Sequence, residues 1–173
     1  MAIYRDDIAI LTSKDLGEAD TLYVVYGKRR GRFSAVANGV RRLNSRKRGH
    51  LQTFNLCKVS CAEGRNLDII IEADSYFSVD TDIISSEEYD RIGLAGMALL
   101  KFTPEGVPER KLFELWECYI QGLLTEDRTK RFVCEVLLIE GFLTDEQYEF
   151  FGSGSKPGLN HLRAYIQKIL DTA

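Results

Sequence analysis

The alternation of apolar and polar positions changes period near residue 80. Before it, short alternating or β-branched runs are broken by turn residues. Tyr4 to Leu11, Thr21 to Tyr26, Arg32 to Asn38, Thr53 to Ala62 and Asn66 to Ala73 predict five strands. Turn signals lie between them at Asp15-Leu16-Gly17, Gly27 to Gly31, Gly39 to Gly49 and Glu63-Gly64-Arg65-Asn66. In the fourth run Phe54 and Leu56 hold one phase and Val59 and Cys61 the other, which predicts a bulge near Cys57. Five short antiparallel strands in so little chain predict a small closed barrel, because closure removes exposed strand edges.

From Asp82 the period is helical. Ser85 and Glu88 predict a capping box ahead of a helix reaching about Phe102, and Thr103-Pro104-Glu105-Gly106 breaks it. Pro108 marks a second start, with Leu112, Leu115, Trp116, Tyr119 and Leu123 as its apolar stripe. A third helix is expected from Arg128 to Glu140, a short fourth from a Thr144 cap through Phe151, and a last one from Leu159 to Leu170. Gly152 to Gly158 reads as a connector. The expected class is α+β in two domains, a β-barrel over 1–80 and an all-α helical domain over 81–173.

Composition adds little until it is resolved along the chain. The 173 residues carry a net charge of −3 and 45% hydrophobic residues, ordinary for a globular protein. No apolar run approaches the roughly 20 residues that span a bilayer. The acidic start, Asp6-Asp7, does not resemble a signal peptide. A cytoplasmic protein without membrane contact is expected. Charge, however, is strongly segregated. From Thr21 to Ala62 there is no acid, while Lys28, Arg29, Arg30, Arg32, Arg41, Arg42, Arg46, Lys47, Arg48 and Lys58 give +10. Residues 81–173 sum to −6. Such asymmetry points to a polyanion partner for the basic part.

The basic residues fall into two groups. Arg41, Arg42, Arg46, Lys47 and Arg48 lie on a glycine-flanked loop between the third and fourth strands, where they can follow a phosphate backbone. Lys28, Arg29, Arg30 and Arg32 occupy the turn between the second and third. Tyr23, Tyr26 and Phe33 alternate with these charges, but read as barrel core rather than as stacking platforms for bases. Signatures of phosphate loops, serine hydrolases and zinc proteases are absent from the sequence, and no catalytic residue, cofactor or metal is expected. Glu18 and Asp20 could begin a metal-dependent nuclease site, although a structural role tying a loop is the simpler reading. Cys57 and Cys61 would stand about 13 Å apart on a strand, too far for a disulfide. All four cysteines, Cys118 and Cys134 included, are expected as buried free thiols.

The order Gly17-Glu18-Ala19-Asp20, then Tyr26 to Gly39 with Gly31-Arg32 before a hydrophobic strand, then Arg41-Arg42, Ser45-Arg46 and Leu51-Gln52-Thr53-Phe54, resembles the N-terminal half of the bacterial RecO family. Phe132 to Gly141 continues the resemblance more weakly. The resemblance implies an N-terminal OB-fold barrel followed by helices. It implies binding of single- and double-stranded DNA, annealing of complementary strands, and help in loading RecA onto DNA coated by single-stranded-DNA-binding protein (SSB). RecR and the C-terminal tail of SSB are the implied partners, and Arg41, Arg42, Arg46, Lys47 and Arg48 the implied DNA contacts, with Lys28, Arg29, Arg30 and Arg32 behind them. Members with a zinc module carry Cys-x-x-Cys after the helix that here ends at Gly141. This sequence has Phe142-Leu143-Thr144-Asp145 instead, and a short form lacking that module is expected. Proline is common in the family at the positions held here by Leu43 and Thr53. An OB-fold RNA-binding module is the alternative reading.

Overall fold

A computed structural model describes residues 2–152 and 157–172. Five strands, β1 (Ile3–Leu16), β2 (Asp20–Gly27), β3 (Gly31–Ala37), β4 (Leu56–Ala62) and β5 (Asp68–Phe77), precede helices α1 (Ser86–Phe102), α2 (Arg110–Ile120), α3 (Glu126–Ile139), α4 (Asp145–Gly152) and α5 (Leu159–Thr172). Of the expected connector Gly152 to Gly158, residues 153–156 lie outside the described part.

The strands close in the order β1-β2-β3-β5-β4, the arrangement of an OB-fold. Closure depends on the length of β1. Its residues 3–9 pair with β4, while residues 8–16 pair with β2, and an extra residue, Leu11, interrupts the register between Ile10 and Thr12. A bulge of this kind bends a strand far enough to serve both neighbours. The expectation of wholly antiparallel strands is corrected at one seam: β3 and β5 run parallel through Ala35–Asp68 and Val36–Ile69. A parallel pair needs a crossover, and the β4 segment supplies it.

Ile8, Ile10, Tyr23, Val25, Phe33, Cys57, Val59, Cys61 and Ile70 fill the barrel. Part of the outward face of the same strands is covered as well. Ala9, Leu11, Tyr26, Phe54 and Leu56 pack with Ile92, Leu99, Leu112, Trp116 and Phe132 of the helices in one continuous core. This explains the double phase around Cys57. A register shift does separate Leu56 from Cys57 against β5. Beyond that, Leu56 faces the helices while Cys57, Val59 and Cys61 face the barrel.

In the helical part, Ser85 and Glu88 form the capping box: the Ser85 hydroxyl accepts from the Glu88 amide at 3.2 Å, and the Ser85 amide donates to the Glu88 carboxylate at 2.9 Å. Trp116 is fully buried among Phe54, Tyr119 and Phe132. Two positions depart from expectation. Leu123 lies beyond the end of α2 and is 77% exposed, because the helix stops at Ile120. Cys118 is exposed, on the opposite side of α2 from Leu112 and Trp116, whereas Cys57, Cys61 and Cys134 are buried thiols.

Candidate nucleic-acid interface

The connection from β3 to β4, residues 38–55, is a braced loop. Its entry turns at Gly39, where φ is +65° and the amide donates to the Asp20 carboxylate at 2.7 Å. Next, the Arg41 amide donates to the Ala19 carbonyl at 3.0 Å. Val40 and Leu51 anchor the two sides by inserting into the barrel mouth, 2% and 3% exposed. At the exit, the Asn55 amide group donates to the His50 carbonyl and its oxygen accepts from the Val79 amide. His50 Nδ1 accepts from the Ser75 amide at 3.1 Å, tying the loop to β5. Asp20 is thus a loop tie, and Glu18 stands exposed beside it. Among the described residues no group of three His, Cys, Asp or Glu side chains is placed to hold a metal ion.

The five basic residues of this loop divide by partner. Arg41 reaches the Gly17 carbonyl at 3.1 Å and the Asp15 carboxylate at 3.2 Å. Lys47 folds inward and donates to the Ile70 carbonyl at 2.9 Å, and its burial lowers the ammonium pKa. Arg42, Arg46 and Arg48 project into solvent, their guanidinium groups without a hydrogen bond or ion pair to the described residues. Three unpaired cations therefore stand on a loop whose backbone is held in place.

The second basic group is at the other end of the barrel. In the β2–β3 hairpin Thr21 pairs with Ala37 near the loop and Gly27 with Gly31 at the turn, a separation of roughly 20 Å along the strands. Here too most charges are engaged. Arg30 binds Glu63 at 2.8 Å, lies over the Tyr4 ring at 4.2 Å, and has its pKa raised chiefly by the Glu63 hydrogen bond. Arg32 donates to the Thr103 carbonyl at 3.0 Å, joining the barrel to the α1–α2 connection. Lys28 faces Glu114 at 3.8 Å and the Phe113 ring. Only the Arg29 side chain is unpaired among the described residues, while its amide donates to the buried Asp6 carboxylate at 3.1 Å. Burial raises the Asp6 pKa against the lowering effect of that bond.

Arg29 and Lys28 line an open groove of about 850 Å³ together with Arg5, Lys58 and Arg110. Lys58 belongs to the acid-free run but to neither basic group of the sequence, and Arg5 and Arg110 lie outside both. The outward positions of β1 and β4 could have shown Arg5 and Lys58; Arg110 arrives from a helix distant in sequence. Asp7, Glu72 and Asp74 line the same groove, so its charge is mixed. Tyr23, Tyr26 and Phe33 are buried, as read, and offer no stacking surface.

A closed five-stranded OB barrel, packed on a helical layer and presenting an acid-free cationic loop, defines the class of this protein. Residues 1–78 match the family model described as recombination protein O N terminal. A DNA repair protein RecO from Pelotomaculum thermopropionicum is 35% identical over 118 residues, covering 66% of this chain and 45% of the relative. Another from Nocardioides is 37% identical over 109 residues, covering 63% and 43%. A third, from Bifidobacterium longum, is 40% identical over 75 residues, covering 43% and 31%. The chain is thus similar to RecO proteins, through the N-terminal family model over residues 1–78 and relatives aligned over up to 118 residues, and it spans less than half the length of these curated relatives.

Proposed function

We propose that this protein is a DNA repair and recombination mediator. It binds single- and double-stranded DNA, anneals complementary strands and helps load RecA onto SSB-coated DNA, with RecR and the SSB C-terminal tail as partners. The observation that carries the reading is the trio Arg42, Arg46 and Arg48, unpaired and exposed on a braced loop of an OB barrel. Because that backbone is already ordered, binding costs little further chain entropy. Each phosphate met by a guanidinium releases counterions and lowers the repulsion between two strands, so that their bases can pair. Arg41 and Lys47 act mainly by holding the loop. Arg29 and its neighbours Arg5, Lys58 and Arg110 form a separate, weaker contact at the far end. Residues 1–80 supply most of the DNA-binding surface, joined at the far end by Arg110, and 81–173 otherwise the surface for protein partners.

Annealing of complementary oligonucleotides coated with cognate SSB tests this. Wild type is expected to accelerate annealing and the triple variant R42E/R46E/R48E to lose it. Single-strand affinity of wild type should fall with salt at a log–log slope of about −2 from the three loop contacts, steeper where the far-end contact also engages. A salt-insensitive affinity, or full annealing by the triple variant, overturns the reading. Preferential binding of RNA over DNA of the same sequence would replace it with the RNA-binding one.

A further inference from the structure

Leu43 is 91% exposed, the most exposed large apolar side chain among the described residues. Scattered apolar residues on a surface are common and need no special account. Leu43 differs in its setting. It occupies the first corner of a four-residue turn, closed by the Ser45 amide donating to the Arg42 carbonyl at 3.0 Å. A turn corner directs its side chain away from the chain. On the same loop are its neighbour Arg42 and, three and five residues on, Arg46 and Arg48, all unpaired among the described residues. Behind it, Val40, Leu51, Asp20 and Lys47 fix the loop to the barrel. The turn thus presents an exposed apolar side chain on a braced loop that also carries three exposed, unpaired arginines.

We infer that Leu43 is a base-contacting wedge: with phosphates held by the arginines of its loop, its side chain packs against the face of an unstacked nucleobase of single-stranded DNA. This rests on the DNA-binding reading above and assigns the loop a preference for exposed bases. The charge of the loop selects a polyanion as occupant. An apolar tip has nothing to pack on in a bare phosphate chain, but finds apolar surface on a base, and apolar side chains can wedge against or between bases in this manner. Such a contact also suits annealing, because it holds bases out of their own stacks.

The test compares binding of an oligothymidylate and of an abasic deoxyribose-phosphate oligomer of equal length, by fluorescence anisotropy at one salt concentration. The proteins are the wild-type chain, Leu43→Ala and Leu43→Phe. Wild type should prefer the base-bearing strand by roughly fivefold, the scale of a partly buried leucine or base contact. Leu43→Ala should bind the abasic strand as wild type does and lose the preference, and Leu43→Phe should keep or enlarge it. Equal binding of both strands by wild type, or an equal loss on both strands in Leu43→Ala, overturns the wedge while leaving the arginine contacts standing. Failure of wild type to bind either strand overturns the DNA-binding reading itself, and the wedge with it.

Discussion

Asp20 stands in a cluster that reads either as the start of a metal site or as a loop tie, and only its partner separates the two. Its carboxylate accepts the Gly39 amide at 2.7 Å, at the point where the basic loop leaves β3. Glu18 has no such role and is exposed. Removing an ionised acceptor from a hydrogen bond costs about 1.5 kcal/mol or more. Asp20→Ala should therefore lower stability in urea denaturation by about that amount, while Glu18→Ala should stay within about 0.5 kcal/mol of wild type. An equal effect of both would remove the loop-tie account. The basic residues illustrate the same limit. Their density is plain in the sequence, but whether a guanidinium meets solvent, as at Arg46, or a carboxylate, as at Arg30, depends on residues far along the chain.

At the scale of elements, the strands were readable because β-branched and aromatic runs are bounded by glycine and acid-containing turns. Their ends were less so. β1 continues through Ser13 and Lys14 to Leu16, beyond its apolar run, because β2 supplies a ladder for those polar residues. The sequence pattern predicts strand from Thr53, but Phe54 takes φ +70° and turns its ring under α1 and α2, so β4 starts at Leu56. Gly31 closes the β2–β3 hairpin at φ +66°, and a side chain there would collide with the backbone of Val107. A positive φ and a backbone clash compound each other. Gly31→Ala should cost about 2 kcal/mol or more and lower the melting temperature by roughly 4 °C or more for a chain of this size. A change under about 1 °C in differential scanning calorimetry would show that the hairpin and the α1–α2 connection yield easily.

Across the whole molecule, the barrel and the helices share one core. Leu11, Tyr26, Phe54 and Leu56 would be bared by removal of the helices, and Trp116 is packed directly against Phe54. Arg32 and the Tyr26 hydroxyl bind the carbonyls of Thr103 and Glu109 across the same junction. Parts joined in this way unfold together. Thermal melts followed by Trp116 fluorescence and by far-ultraviolet circular dichroism should give a single transition with coincident midpoints. Two separated transitions would mean that the barrel holds its structure without the helices. The basic loop at 38–55 joins this core at its exit through Phe54, while Arg42, Arg46 and Arg48 nearer its tip stay exposed.

By itself the sequence determined the elements, their order, the barrel class and the basic loop, because these follow from local periodicity, turn chemistry and charge density. It also contained the order of motifs that marks the family. Tertiary structure alone decided which charges are unpaired and that the two basic groups lie at opposite ends of a hairpin. It also decided that the helices cover Ala9, Leu11 and Leu56 on the outward side of β1 and β4, and that on the basic loop Leu43 is exposed while Tyr23, Tyr26 and Phe33 of the barrel are buried. Those outcomes depend on contacts between residues tens of positions apart, such as Arg30 with Glu63 and Lys47 with Ile70, which only the closed barrel brings together.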